Sequence, residues 1–271
     1  MHHNLLFSIN DNFSTQLVTT LYSIRENSSF SELSVYVMQQ QPLKQNDKIA
    51  EACHQLGINY HPVVVGPQLF KDSPTTDRYP ETIYYRLLAQ EFLPTELERI
   101  LYLDADILCI NDLRPLLELK MGEAPYAAAS HSQLTEMANV INKVRLQNYE
   151  AESYFNSGVL LMNLPQIRPL VSRQAIFEFI EKNRFQLFLP DQDVLNGLYG
   201  ERILPLPDQL YNFDVRKKMV YETISRGQWD LDWVVAHTVL LHFCGRDKPW
   251  QSDYSGRFGA LYKHYQHRSP K

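Results

Sequence analysis

Two aspartates, Asp104 and Asp106, follow the apolar segment Ile100–Leu103 and are separated by a single residue. In a strand, residues i and i+2 point to the same face, so these two carboxylates can converge on one point. Carboxylates held together among apolar neighbours repel each other and are costly to desolvate, and a divalent cation removes both problems. The alternative is that one aspartate caps a turn while the other is solvated. The residues alone leave both interpretations open.

The segment Leu241–Trp250 holds the second dense group of side chains suited to chemistry. His242 ends an apolar run and can supply a third metal ligand, and an imidazole beside two carboxylates favours Mn²⁺ over Mg²⁺. Gly245 lets a ligand approach the backbone closely, and Lys248 can neutralise a diphosphate. The structural alternatives are a hydrogen-bonded histidine at a strand end, a turn glycine and a surface lysine.

Short apolar, β-branched runs alternate with helical patterns, which is typical of an α/β protein with a mostly parallel, doubly wound central sheet. Strands are predicted at 4–9, 34–38, 59–65, 99–103, 159–162 and 234–243. Helices are predicted after a cap at Asp11 or Asn12 and at 46–56, 82–92, 113 onward, 133–148 and 175–183. Such sheets bind ligands at the carboxyl ends of their strands, where Asp104 and Asp106 are expected. We predict one domain over 1–252 with an elaborated C-terminal half, followed by a helical tail over 253–271.

The composition indicates which classes of protein to consider. With 44% hydrophobic and 21% charged residues among 271, the chain is expected to be globular rather than disordered. A net charge of −5 without a long basic run argues against nucleic acid as a partner. The cysteines, Cys53, Cys109 and Cys244, are odd in number and form no CxxC pair. That usage favours a reducing compartment over a disulfide framework or a thiolate zinc site.

The sequence shows neither a signal-peptide pattern nor a stretch of about 20 apolar residues that could span a membrane. We therefore predict a cytoplasmic protein. The segment Leu261–Arg268 interleaves aromatic and basic residues. That pattern fits weak peripheral contact with the anionic inner face of a membrane and, more readily, the solvated face of a last helix.

Six segments, taken in order and with their spacings, carry a family resemblance. They are Phe7–Asn12, Tyr84–Leu87, Leu101–Asp106, Tyr154–Val159, Asp191–Asn196 and His242–Trp250. Together they resemble glycosyltransferase family 8, the retaining transferases that include bacterial lipopolysaccharide galactosyl- and glucosyltransferases and glycogenin. The resemblance extends from Leu6 to about Trp250, which is most of the chain.

The resemblance implies a GT-A fold, which is a Rossmann-like nucleotide-binding domain, together with a UDP-sugar donor and usually Mn²⁺, with Mg²⁺ as the alternative. It also implies a role for each matching residue. The metal ligands would be Asp104, Asp106 and His242. The other donor contacts would be Ser8, Ile9, Asn10 and Asn12 at uridine and ribose, Gly245 and Lys248 at the diphosphate, and Arg86, Asn156, Asp191 and Gln192 around the sugar, with Ala105 as a further donor contact.

Most of these residues also have a structural interpretation. Asn10 and Asn12 suit a turn and helix cap, Arg86 a salt bridge, and Asp191 an N-cap after Pro190. With the resemblance, Asp191 and Gln192 are the candidates for stabilising the anomeric carbon as it gains oxocarbenium character.

The resulting expectation is a retaining, Mn²⁺-dependent hexosyltransferase. It would move galactose or glucose from a UDP-sugar to a glycan, glycolipid or glycoprotein acceptor in the assembly of surface polysaccharide, lipopolysaccharide or glycoprotein. A non-catalytic binding relative is the first alternative. A phosphohydrolase with a DxD nucleophile is more distant, because its motif normally lies near the N-terminus with Thr or Val where Leu108 stands here. The sugar, the acceptor and the route to retention, whether covalent or front-face, stay open at this point.

Overall fold

The structure of the chain, a computed structural model, describes residues 2–75, 80–130 and 153–271. Its strands are β1 (His2–Ser8), β2 (Glu32–Gln39), β3 (Asn59–Val64), β4 (Arg99–Leu103), β5 (Ile107–Cys109), β6 (Tyr126–Ser130), β7 (Phe155–Asn163), β8 (Ile203–Leu206), β9 (Phe213–Asp214) and β10 (Leu240–His242). Within the described residues, seven strands form a central sheet in the order β3-β2-β1-β4-β7-β6-β8, and β5, β10 and β9 form a small second sheet.

The central sheet is mostly parallel, as predicted. Strand β1 pairs in parallel with β2 and β4, β2 with β3, and β6 with β8. Strand β7 is antiparallel to both of its neighbours, β4 and β6, and is therefore the reversed strand of this sheet. Because the other strands share one direction, their carboxyl ends meet at one edge, which is the edge where such sheets bind ligands.

The helices of the described residues are α1 (Ser14–Asn27), α2 (Asn46–Gln55), α3 (Arg114–Leu117), α4 (Leu164–Leu170), α5 (Arg173–Lys182), α6 (Pro190–Tyr199), α7 (Asp208–Tyr211), α8 (Lys218–Ile224), α9 (Leu231–His237) and α10 (Gly259–Arg268). Short 3₁₀ segments add Asp11–Phe13, Glu81–Glu91, Gly200–Arg202 and Val215–Lys217. The helix predicted at 133–148 lies outside the described residues.

Both faces of the sheet are covered, because consecutive side chains of β1 are buried in two different apolar clusters. Leu5 and Phe7 belong to one apolar cluster together with Leu17 of α1. Leu6 points to the opposite face and joins a second cluster with Tyr84 of the Glu81–Glu91 segment. Successive strand residues point to opposite faces, so the segment Leu5–Phe7 must be apolar at each position to be buried on both sides.

The strand predicted at 234–243 is wrong over its first part. The chain there forms α9, and only Leu240–His242 is a strand. Asp230 caps this helix by accepting a hydrogen bond from the Trp233 backbone N–H at 2.9 Å, and Val234 is its buried residue. A short apolar run fits a helix or a strand equally well, and here the Asp230 cap favours the helix.

Two smaller expectations also change. The turn before α1 is capped by Asn10, whose Oδ1 accepts a hydrogen bond from the Asn12 N–H, rather than by Asp11 or Asn12. The predicted helix at 82–92 is the 3₁₀ segment Glu81–Glu91, which is kinked at Leu88.

The C-terminal helix α10 packs against the domain. Tyr262 is fully buried and contacts the rings of Phe243 and Trp250. Asn27 of α1 donates a hydrogen bond to the Tyr265 hydroxyl at 2.9 Å. Within the described ranges, no helix is both long enough and apolar enough to cross a bilayer.

Candidate active site

A cavity of about 630 Å³ opens at the carboxyl edge of the sheet, a volume within the range of ligand pockets. Strands β1 and β4 run in parallel and deliver Asn10 and Asp104 to this edge. The structure brings every site residue predicted from the sequence to the wall of this one cavity: Ser8, Ile9, Asn10, Asn12, Arg86, Asp104, Ala105, Asp106, Asn156, Asp191, Gln192, His242, Gly245 and Lys248.

Asp104, Asp106 and His242 form a compact group of ligands. One ligand atom from each lies within 4.8 Å of the others. His242 Nε2 is 3.2 Å from Asp106 Oδ1 and 3.8 Å from Asp104 Oδ2. Two carboxylates and an imidazole at these separations are a donor set suited to a divalent transition metal.

The backbone fixes this group. Asp104 N–H donates to Gly158 O at 2.8 Å, and Phe243 N–H donates to Asp106 O at 3.0 Å. Gly158 is needed for close approach, because a Cβ at that position would lie 2.5 Å from His242 Cε1 and 2.6 Å from Asp104 Oδ2. The ligands therefore sit against bare backbone.

Positive charge surrounds the aspartates. Burial by itself raises the pKa of Asp106, but Lys248 and His242 lower that pKa below its usual range, with Lys248 Nζ 2.5 Å from Asp106 Oδ2. Burial by itself lowers the pKa of His242, but Cys244 and Asp106 raise it well above its ordinary value. The site thus favours cationic partners for its carboxylates, as a metal site does.

Arg86 contacts one carboxylate of the candidate metal-ligand group and one on the side of the cavity predicted to face the sugar. Its Nη2 lies 2.9 Å from Asp104 Oδ1 and its Nε 3.3 Å from Asp191 Oδ2. It also donates to Ser157 O at 2.8 Å and lies over the Tyr102 ring, 4.2 Å from its centroid. Burial raises the pKa of Asp191, and Arg86 and Ser157 oppose that rise. One buried guanidinium therefore compensates two carboxylates.

Carboxamides and a hydroxyl line the rest of the side predicted to face the sugar. Asn156 Nδ2 donates to Gln192 Oε1 at 3.0 Å, and Ser157 Oγ donates to Asp191 Oδ2 at 2.8 Å. Asp191 lies in the first turn of α6 but does not cap it. The N-cap of α6 is Leu189, and Asp193 reaches back from the first turn to accept hydrogen bonds from the N–H groups of Phe188 and Leu189. The capping interpretation of Asp191 is thus replaced by its contacts in the cavity.

Two further contacts shape the wall of the cavity. Ser8 Oγ donates to Thr82 O at 2.6 Å and ties β1 to the 3₁₀ segment. Gly245 has a φ of +96°, in the left-handed region that favours glycine. A Cβ there would lie 2.8 Å from Arg216 Nη1, so the guanidinium rests on the Gly245 backbone. Arg216 is held by Asp214 through Nε and Nη2, at 2.9 and 2.7 Å.

Several lining residues had not been predicted as site residues. They include Phe13, Tyr154, Ser157, Asp214, Arg216 and Lys217. Asn212 also contacts the site, with its Oδ1 2.8 Å from His242 Nδ1. The Asp214–Arg216 pair was the available signal, since an acid and a base stand two apart in the sequence, but that spacing is common on protein surfaces.

Comparison with known proteins identifies the family. The model of the family "Glycosyl transferase family 8" matches residues 4–254. The chain therefore belongs to glycosyltransferase family 8 and is a glycosyltransferase.

Individual relatives are similar over most of their length. Lipopolysaccharide 1,2-glucosyltransferase of Escherichia coli is 27% identical over 262 residues, which are 91% of this chain and 73% of the relative. General stress protein A of Bacillus subtilis (strain 168) is 25% identical over 274 residues, 94% of this chain and 90% of the relative. The fold is similar to that of galactosyltransferase LgtC, crystallised with donor and acceptor sugar analogues, at a TM-score of 0.84 and 23% identity over 99% of this chain and 96% of that one. That likeness confirms the GT-A fold.

Gly158→Ala should weaken cation binding at least about tenfold, because displacing a metal ligand or its support costs on that order. The new methyl group must push His242 or Asp104 out of the ligand group. Isothermal titration with Mn²⁺ measures the effect, and thermal unfolding shows whether the fold survives. Unchanged Mn²⁺ affinity in a folded variant would contradict the close approach described above.

Cation affinity should also depend on pH. Because the pKa of His242 is raised, its ring carries a proton near neutral pH that a metal at Nε2 must displace. More protons therefore mean weaker binding, and Mn²⁺ affinity should rise by up to about tenfold per pH unit if one proton is released. Titrations in two buffers of different ionisation enthalpy count that proton. Affinity that does not change with pH would show that cation binding displaces no proton from His242.

Proposed function

We propose that this chain is a retaining hexosyltransferase that moves galactose or glucose from a UDP-sugar to a glycan acceptor with the help of Mn²⁺. One observation carries the proposal: the Asp104–Asp106–His242 ligand group faces the same cavity as Lys248 and the nucleoside-side residues Asn10 and Asn12. A metal, a diphosphate and a nucleoside each have matching groups on one wall. The named activities of the E. coli relative and of LgtC support the same class of reaction.

The leaving group is a nucleoside diphosphate, and its departure needs positive charge. Asp104, Asp106 and His242 would hold the Mn²⁺, which supplies charge neutralisation at the phosphates. Lys248 is placed to add a second cation once it exchanges Asp106 for a phosphate oxygen. Gly245 lines the same cavity, with the Arg216 guanidinium against its backbone. Ala105 and Ser8, Ile9, Asn10 and Asn12 complete the donor-binding wall.

The sugar develops positive charge as UDP leaves, and Asp191 and Gln192 are our candidates for stabilising it. Asp191 Oδ2 is held by Arg86 and Ser157, which fixes the direction of the carboxylate. Gln192 Oε1 accepts a hydrogen bond from Asn156 Nδ2. Both side chains are thus oriented before substrate binds, so little reorganisation is required during the reaction. Retention of configuration follows the family.

The acceptor would be a growing glycan, lipid-linked or protein-linked, in the assembly of surface polysaccharide, lipopolysaccharide or glycoprotein. We assign residues 1–252 to the glycosyltransferase domain and 253–271 to the tail. The protein would act in the cytoplasm. Helix α10, in the tail, is the part that would touch the inner face of a membrane. The exposed His264, His267 and Arg268 of that helix support weak electrostatic contact only.

Mass spectrometry of donor hydrolysis tests the proposal. The protein is incubated with a panel of UDP-hexoses, with Mn²⁺ or with EDTA, and free UDP and hexose are quantified. We expect slow, Mn²⁺-dependent hydrolysis of UDP-galactose or UDP-glucose. Binding of UDP without hydrolysis of any donor would indicate a non-catalytic relative. Release of phosphate from simple phosphomonoesters would indicate a phosphohydrolase instead.

A further inference from the structure

Asn212 is a buried carboxamide that lies between His242 of the candidate metal-ligand group and Asn156 on the side proposed to face the sugar. It is 0% exposed and connects α7 to β9. Its Oδ1 lies 2.8 Å from His242 Nδ1, and its Nδ2 lies 2.8 Å from Asn156 Oδ1. One side chain therefore contacts a metal-ligand candidate at one end and a sugar-side amide at the other.

The backbone of Gly158 fixes the orientation of Asn156. The Gly158 N–H can only donate, and its partner 3.0 Å away on Asn156 must therefore be the side-chain oxygen. The Nδ2 of the same amide then faces Gln192 and donates to its Oε1 at 3.0 Å. Neither amide can be flipped without placing two donors or two acceptors against each other.

The same logic extends from Asn156 to His242. Because Asn156 presents an oxygen, Asn212 must present its Nδ2 to it, which leaves its Oδ1 for His242. A carbonyl oxygen only accepts, so His242 Nδ1 must carry a proton. In the neutral ring the lone pair is then on Nε2, the atom that faces Asp106 and Asp104 at 3.2 and 3.8 Å. This is the tautomer that can bind a metal together with the two carboxylates.

We propose that Asn212 is a positioning residue with two separable tasks: it holds His242 in the metal-binding tautomer, and it orients the Asn156–Gln192 amide pair at the donor sugar. The inference rests on the proposed function, because it assigns parts to the cation and the sugar of that reaction. The proposal adds a physical link between the cation site and the sugar site, because the Asn212 carboxamide fixes the direction of the hydrogen bonds to His242 and to Asn156.

Two substitutions separate the tasks. Asn212→Ala removes both contacts and should lower Mn²⁺ affinity about 10- to 100-fold, the usual effect of losing the hydrogen-bond partner of a metal-binding histidine. Asn212→Asp keeps an oxygen acceptor for His242 Nδ1 but places a second oxygen against Asn156 Oδ1. It should therefore bind Mn²⁺ at least as tightly as the wild type, yet hydrolyse the donor about tenfold more slowly because the sugar-side amides are misplaced.

Asn27→Ala is the matched control. Asn27 Nδ2 donates to Ser23 O, Cys109 O and the Tyr265 hydroxyl at 2.8, 3.1 and 2.9 Å, and Asn27 does not line the cavity. This variant should lose stability in thermal unfolding while it keeps wild-type Mn²⁺ affinity and donor hydrolysis. It separates the general cost of a lost amide from an effect on the site.

Mn²⁺ titration calorimetry and the rate of UDP-hexose hydrolysis are measured on all four proteins. Unchanged affinity and rate in Asn212→Ala would overturn the inference, as would a folded Asn212→Asp that no longer binds Mn²⁺. If Asn212→Ala does not fold, the result for Asn212→Asp decides: kept Mn²⁺ affinity with slower donor hydrolysis supports the inference, and any other result contradicts it. If the wild type neither binds Mn²⁺ nor hydrolyses a donor, the proposed function itself is wrong and this inference with it.

Discussion

Replacing Arg86 by methionine should lower the free energy of unfolding by about 3–5 kcal/mol, the cost of removing one partner of a buried ion pair. Arg86 is 5% exposed and contacts Asp104 and Asp191, of which Asp191 is 6% exposed. Methionine fills much of the volume but leaves the buried Asp191 carboxylate without a cation. The melting temperature should fall by about 10 °C, given about 2–4 °C per kcal/mol for a chain of this size.

The loss should be smaller at low pH. An unpaired, buried carboxyl has a higher pKa in the folded protein than in the unfolded chain. Its destabilising effect is therefore absent below the pKa of the unfolded chain and grows as the pH rises above that pKa. The Arg86→Met variant should therefore lose more stability at pH 8 than at pH 5. Adding Asp191→Asn should restore part of the loss, because the unpaired charge is then removed.

Arg114→Met is the control for Arg86→Met. Arg114 makes a bidentate pair with Asp112, but the pair is exposed, and exposed pairs contribute little. Chemical denaturation of the wild type, Arg86→Met, Arg86→Met with Asp191→Asn, and Arg114→Met gives the comparison. Equal, small changes for Arg86→Met and Arg114→Met would show that burial of the Arg86 pair has no energetic consequence.

Replacing Asp106 by asparagine should reduce Mn²⁺ affinity at least about 100-fold and kcat/KM at least about 1,000-fold, since the cation supplies several kcal/mol of transition-state stabilisation. The carboxylate of Asp106 is the one that lies within 3.2 Å of His242 Nε2 and 2.5 Å of Lys248 Nζ. The asparagine amide keeps the shape of the side chain but removes the negative charge that attracts Mn²⁺ and Lys248.

Asp232→Asn changes the formal charge equally at an exposed position of α9 and is the matched control. It should leave Mn²⁺ affinity and donor hydrolysis unchanged. Mn²⁺-dependent hydrolysis by Asp106→Asn at the wild-type rate would mean that the cation is bound elsewhere or is not needed.

The sequence predicted the parts of the fold that depend on local pattern. Strands with continuous apolar runs, such as Leu5 to Phe7 in β1, are recognisable because both sheet faces are covered. The run at 234–243 was misjudged because hydrophobicity alone does not distinguish a short helix from a strand. There, the cap at Asp230 and the stacking of Trp233 on His237, 4.9 Å apart, favour the helix.

The candidate site was predictable where chemistry is concentrated in short segments. Asp104 and Asp106 follow an apolar strand, and His242 ends another, so their types and positions suggest metal binding. Asn212 carries no comparable signal, because a single asparagine before an aromatic residue is ordinary turn composition. Its importance comes from contacts to Asn156 and His242, which are 56 and 30 residues away in the chain. Only the fold shows such contacts.

The most direct test of a shared cation and diphosphate site is calorimetric titration of UDP and of uridine into the protein, each with Mn²⁺ and with EDTA. If Asp104, Asp106 and His242 hold a cation that the diphosphate shares, Mn²⁺ should raise the affinity for UDP at least about tenfold, or about 1.4 kcal/mol, and leave uridine binding unchanged. Equal UDP affinity in Mn²⁺ and in EDTA would contradict the account.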